Sequence, residues 1–104
     1  MGEQDPLLEE EISSHTRDEV TEPPLYRVIL INDDYTTMEF VVEVLMVVFK
    51  KPVTAATRIM LDVHKRGSGL CGMYPREIAE TKVDTVHALA REKGFPLKCV
   101  MEKE

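Results

Sequence analysis

Between Tyr26 and Phe49 the chain reads YRVILINDDYTTMEFVVEVLMVVF, a run that few folds can accommodate. It opens as an alternating apolar segment, passes through four polar residues (Asn32, Asp33, Asp34, Tyr35) and continues almost wholly apolar. Tyr26 to Ile31 carries β-branched and aromatic residues and no breaker, which predicts a strand. Period two puts Tyr26, Val28, Leu30 and Asn32 on one face and the apolar Ile29 and Ile31 on the other, so the strand should be covered in part on both sides and lie centrally in its sheet. Thr36-Thr37-Met38-Glu39 fits a capping box, with the Thr36 hydroxyl accepting from the Glu39 N–H, and predicts a helix running to about Lys50. At 100° per residue Glu39, Glu43 and Lys50 form a narrow polar strip, and apolar side chains fill roughly 260° of the circumference, wider than a core stripe. Either this helix is sandwiched within the domain or part of it lines a hydrophobic cavity. Both readings leave polar groups crowded between two apolar elements, and function is expected there.

Charge divides the chain. Residues 1–24 hold eight carboxylates against the single base Arg17, while the remaining 80 residues hold eleven acids and twelve bases. The first segment has no periodicity, isolated apolar residues and a Pro23-Pro24 end. Such a composition buries too little apolar surface to offset the entropy of ordering, so residues 1–24 are read as a disordered acidic extension and residues 25–104 as one domain. A near-neutral domain with an acidic arm does not suit nucleic acid, which is bound through a basic face. No segment approaches the roughly 18 consecutive apolar residues of a membrane span, and the N-terminus lacks a basic start and an apolar signal core, so a cytoplasmic protein with no membrane association is expected. Cys71 and Cys99 form no CxxC motif and are expected as small buried apolar residues.

Further along, Pro52 breaks the chain and Thr54 is a plausible cap for a helix from Ala55 to about Arg66, on which Met60, Val63 and His64 share a face. Gly67-Ser68-Gly69 ends that helix. Leu70 to Tyr74 predicts a short strand, Ile78 to Lys93 a helix with Ala79, Val83, Val86 and Ala90 inward, and Leu97 to Glu102 an alternating strand. The order β-α-α-β-α-β within about 80 residues argues for a two-layer α+β domain, three helices on one side of a three-stranded antiparallel sheet. Nothing in it demands more than a monomer.

Asn32, Asp33 and Asp34 offer several acceptors within three positions. Metal binding is a weak reading, since Asp33, Asp34 and His64 lack the spacing of a known cage. Acid/base catalysis is little stronger, because no nucleophile, phosphate loop or cofactor fingerprint accompanies the pair; the plain alternative is a polar turn satisfying backbone N–H groups at a helix start. A cation receptor explains the surroundings better. Carboxylates at a strand end, beside an apolar helix that begins with Met38 and a second helix showing Met60, Val63 and His64, suit a ligand both positively charged and bulkily hydrophobic. A protein α-amino group followed by a large side chain is such a ligand.

LINDDYTTMEFVVEVL, RIMLDVHKRG, LCGMYPREIAETKV and FPLKCVMEK resemble, in order and spacing over residues 24–104, the ClpS family of adaptor proteins for the ClpA-type AAA+ unfoldase. The resemblance implies a fold like the C-terminal domain of the ribosomal stalk protein, no enzymatic activity, and recognition of N-degrons whose first residue is Phe, Tyr, Trp or Leu, for delivery to the ClpAP protease. By motif, Asn32, Asp34 and His64 are similar to the groups that hold the α-amino group and first peptide, with Asp33 and Thr36 next to them. Met38, Val41, Met60, Val63 and Leu97 resemble the walls of the side-chain pocket, and Met38 the gatekeeper that crowds out β-branched side chains. Glu77 and Lys82 fall where the family docks on the unfoldase N-terminal domain, and the N-terminal extension is implied in delivery. His64 is expected to act as a neutral acceptor, since an imidazolium would repel an ammonium. One position departs: the family commonly has proline where this chain has Thr37, and threonine is expected to do neither harm nor the same good. Two other classes compete, a stalk-type interaction domain with no need of the polar pocket, and a metal-dependent hydrolase built on Asp33, Asp34 and His64.

Overall fold

The computed structural model describes residues 22–104, so the expected acidic extension lies, except for its last three residues, outside the described residues. Six elements follow in the predicted order: β1 (Leu25–Ile31), α1 (Met38–Val47), α2 (Val53–Arg66), β2 (Ser68–Pro75), α3 (Arg76–Lys93) and β3 (Lys98–Lys103). β1 is central, paired antiparallel with β2 on one side and β3 on the other. Its inward residues Val28 and Leu30 are fully buried and form one core with Val44 and Leu45 of α1, Ala56 and Val63 of α2, and Ala79, Val86 and Ala90 of α3. The helices therefore cover one face of the sheet, as the alternation requires of a two-layer domain. Ile29 is buried too, but it stands outside that core, on the open face.

The very wide apolar arc of α1 resolves into three zones. Phe40, Val41, Val44 and Leu45 are buried, Met38 and Val42 border open grooves, and Met46 and Val47 remain exposed. Phe40 packs on Phe95, ring centroids 5.1 Å apart and tilted by 52°, which seats α1 against the approach to β3. α1 stops at Val47, short of the expected Lys50, because Lys50 adopts φ +58° and the Lys51 N–H turns back to the Leu45 carbonyl. The Lys82 ammonium on α3 donates to the Val48 carbonyl at 2.9 Å and lies 5.8 Å and 5.2 Å from the Phe49 and Tyr74 ring centroids. That clamp gives an otherwise unpaired helix-end carbonyl a charged partner. Left-handed backbone at Lys50 is strained for a residue with a Cβ, and Lys50→Gly is expected to stabilise the domain by about 1 kcal/mol, read as a higher urea midpoint at unchanged slope.

α2 begins two residues earlier than expected, capped at Pro52 with no side-chain hydrogen bond, so Thr54 is not its cap. Gly67, at φ +94°, closes the other end. β2 carries a bulge opposite Val28 and Ile29 that leaves Cys71 without a partner in the register, while Cys99 pairs with Leu30. The two cysteines thus flank β1 from opposite sides, about two strand spacings or 9–10 Å apart and beyond disulfide reach. Both are buried and free. Burial pushes the Cys99 thiol up to about 12 and the Cys71 thiol upward as well. Across the sheet, the His87 Nε2 of α3 accepts the Cys99 N–H at 3.0 Å and ties the edge strand to the helix.

A candidate α-amino and side-chain pocket

The polar run after β1 is shaped by its own aspartate. Asp33 Oδ1 accepts the N–H groups of Tyr35 and Thr36, both at 2.8 Å, and Oδ2 accepts the Thr36 hydroxyl at 2.7 Å. Side-chain oxygens that bind the backbone two and three residues ahead build a tight turn where a strand must give way to a helix. Thr36 is thereby spent on the loop, and the capping residue is Thr37, whose hydroxyl accepts the Phe40 N–H at 3.1 Å. The expected capping box of Thr36 and Glu39 does not form: the cap lies one residue later, and Phe40 in the third helical position has no polar side chain to reach back. Thr37 is also more than a neutral stand-in for proline, since it supplies a side-chain hydrogen bond at the helix start that proline cannot. Burial works to raise the Asp33 carboxyl, but the hydrogen bonds from the Thr36 hydroxyl and the Thr36 and Tyr35 N–H groups outweigh it, so its pKa is lowered from 3.8. A depressed carboxylate contributes stability above its unfolded pKa, and that contribution is lost as pH falls through the folded value. Asp33→Ala should therefore lower stability by about 1–2 kcal/mol at neutral pH, with the gap to wild type narrowing below about pH 4, as urea titrations across that range would record.

The turn is pinned to α2 as well. The backbone N–H of Asn32 donates to the Gly67 carbonyl at 2.9 Å, joining the end of β1 to the C-terminus of the helix that carries His64. Residues 32 apart in sequence are brought to one rim in this way. Between the polar turn, α1 and α2 lies a cavity of about 210 Å³ lined by Asn32, Asp33, Asp34, Thr36, Met38, Val41, Met60, Val63 and His64. A cavity of roughly 150 Å³ already accepts a benzene ring, so this one has room for a large side chain. Its two ends differ chemically. Asn32, Asp34 and His64 are exposed at the mouth, while Val41 and Val63 are buried and Met60 is 9% exposed. Met38 stands 42% exposed at the edge, between this cavity and a more open groove bordered by Glu39, Val42 and Met60.

Nine of the ten residues expected at the pocket therefore meet in one cavity. Leu97 does not line it: only 4% exposed just before β3, it packs into the core with Val41, Met60 and Val63. Asp33 and Thr36 line the cavity but have turned toward each other, which leaves Asn32, Asp34 and His64 as the polar side chains without a hydrogen bond among the described residues. Among the same residues no three His, Cys, Asp or Glu side chains are grouped as metal ligands would be. Glu77 and Lys82 lie elsewhere, on α3. Glu77 is exposed in its first turn beside Ile78, whereas Lys82 is half-buried in its clamp. The clamps of Lys82 and His87 have no signature in the sequence, because nothing in a periodic pattern signals a hydrogen bond that spans 34 or 12 residues. No described helix is long and apolar enough to cross a membrane.

Residues 21–100 match the family model described as ATP-dependent Clp protease adaptor protein ClpS. An ATP-dependent Clp protease adapter protein ClpS from Desulforapulum autotrophicum is 57% identical over all 104 residues of both chains. Its namesake from Syntrophus aciditrophicus is 53% identical over 92% of this chain and 90% of its own. Among solved structures, Agrobacterium tumefaciens ClpS2 bound to L-phenylalaninamide superimposes with a TM-score of 0.77 at 43% identity, covering 80% of this chain and all of that one. The chain belongs to the ClpS family, whose members are adaptors of the ATP-dependent Clp protease and not enzymes.

Proposed function

We propose that the cavity receives the N-terminus of N-degron substrates and that the domain passes them to a ClpA-type AAA+ unfoldase for degradation by ClpP. Asn32, Asp34 and His64 hold the α-amino group and the first peptide unit, His64 as a neutral acceptor. Asp33 and Thr36 keep the turn in shape around them. The first side chain, Leu, Phe, Tyr or Trp, lies between Met38, Val41, Met60 and Val63, with Leu97 packed into the core beside this wall. Met38 guards the entrance against β-branched residues. The exposed first turn of α3 around Glu77 is the unfoldase-facing surface, and Lys82 contributes there by fixing the end of α1 against it.

One observation carries this reading: solvent-facing acceptors and a buried apolar wall share a single cavity of about 210 Å³, in a chain 43% identical to a protein solved with L-phenylalaninamide. That ligand has a free amine and a benzyl group and lacks a carboxylate, so it pairs a cation with a bulky apolar side chain. Fluorescence anisotropy of labelled peptides identical except for the first residue tests it. Leu, Phe, Tyr and Trp should bind, Ile should be rejected, and the four affinities give this chain's own ranking. Failure of all four would demote the pocket and favour a stalk-type interaction domain with the same fold.

A further inference from the structure

The face of the sheet turned away from the helices is covered by no described element and carries an apolar row between two mixed ones. Register places Leu70, Ile29 and Val100 side by side across the three strands, flanked on one side by the row Met73, Arg27 and Glu102 and on the other by Ser68, Ile31 and Lys98. Leu70 and Met73 are 42% and 43% exposed. Ile29 is buried although the helical core does not reach it, so its cover comes from neighbours on the open face itself. At the β2 edge this row deepens into a depression of about 270 Å³, bordered by Arg27, Ile29, Asp62, Arg66 and Leu70. Asp62 is the one acid lining the depression, its oxygen 3.9 Å from the Arg66 Nε in a long exposed pair worth little, and Glu102 stands opposite Arg27 on β3. The surface is thus an apolar row whose rim sets the bases Arg27, Arg66 and Lys98 against the acids Asp62 and Glu102, suited to a peptide that joins apolar side chains to a block of carboxylates.

The chain carries such a peptide. Leu7-Leu8-Glu9-Glu10-Glu11-Ile12 joins apolar side chains to three successive carboxylates, and the segment before β1 is the acidic part of an otherwise near-neutral protein. Its attachment favours it over any free partner. The segment enters the central strand at Leu25, two residues before Arg27, and the thirteen positions back to Ile12 can span up to about 40 Å, against about 10 Å across three strands. A tethered ligand at millimolar effective concentration needs little intrinsic affinity to occupy its site. We propose that the open face of the sheet is a docking surface for the chain's own acidic N-terminal segment, with its apolar residues on the Leu70–Ile29–Val100 row and its carboxylates on Arg27 and Arg66. The availability of that segment to any other protein is then set by competition with this face.

A nitroxide on Ser13→Cys in the full chain tests the assignment, since the buried Cys71 and Cys99 thiols stay unlabelled in the folded protein. In low salt the amides of Ile29, Leu70 and Val100 should fall below half their intensity relative to the reduced label, while those of Asp34, His64 and Ile78 keep theirs. About 0.5 M salt, which shrinks the screening length to a few ångströms, and the exposed double substitution Arg27→Glu/Arg66→Glu should each restore the lost intensity. Broadening confined to the residues next to Leu25, spread evenly over both faces, or unmoved by salt would overturn the proposal. So would equal broadening in an isotope-labelled chain mixed with a spin-labelled one, because the occupant would then be a second copy.

Discussion

Acetylating the amine of a peptide that begins with Phe is expected to weaken its binding by about 10²- to 10⁴-fold, because two hydrogen bonds to a charged group are worth about 1.5–3 kcal/mol each and every 1.4 kcal/mol is tenfold. Replacing the same Phe with Ala should weaken binding by roughly 10- to 100-fold, the burial of one aromatic side chain. Neither half of the site has energy to spare. Micromolar affinity needs about 8 kcal/mol after the penalties of association, close to what three charged hydrogen bonds and one filled pocket supply. The protein side of the experiment separates the two adjacent aspartates. Asp34 is exposed and makes no hydrogen bond within the described domain, whereas both oxygens of Asp33 are occupied by the turn. Asp34→Ala should therefore reduce affinity for the free amine and leave the acetylated peptide's weak binding unchanged. Asp33→Ala should lower stability and affinity together. Acetylated and Ala-initiated peptides binding as well as the parent would refute the two-part site.

How far this site can be read from the chain depends on the range of the interactions that build it. Alternation in Tyr26 to Ile31 and the spacing of Met60, Val63 and His64 are local, and they place the right side chains on the right faces. The turn chemistry is local too, yet it is ambiguous: Thr36 and Thr37 are equally good caps by type, and only the pull of Asp33 on the Thr36 hydroxyl leaves the helix start to Thr37. Leu97 shows a different limit. A strand-end leucine facing the core and one facing a cavity have the same pattern, and which surface meets it depends on how α1 seats, here through Phe40 on Phe95. The breadth of the α1 apolar arc likewise admits a sandwich or a cavity, and the helix divides it between core, groove and solvent. Contacts from 12 to 34 residues away, such as His87 on Cys99 and Lys82 on Val48, leave no trace in any local window.

Gly69→Ala is expected to be the most damaging single methyl group that can be added near the site. The glycine begins as one of a Gly-Ser-Gly run that sequence reads as a helix stop, but only Gly67 has the left-handed backbone that such a stop requires. Gly69 serves another purpose. A Cβ there would stand 2.8 Å from the Val63 Cγ2, 3.1 Å from the Ile59 carbonyl oxygen and 3.2 Å from the Ile59 Cγ2. Val63 is β-branched and 2% exposed, so it has no room to turn aside, and the carbonyl belongs to the helix backbone. Relief must come from moving α2 off the sheet, at about 1–3 kcal/mol for an overpacked core. In a domain of this size each kcal/mol lowers Tm by about 4–8 °C, so a fall of at least several degrees should appear in a thermal scan. Because α2 carries Met60, Val63 and His64, the same displacement shifts one wall of the cavity and its polar mouth together. Affinity for a Phe-initiated peptide should then drop even at temperatures where the variant is fully folded. A variant that melts with the wild type and binds the peptide equally well would mean that β2 gives way instead of α2, and that the cavity is set by α1 alone.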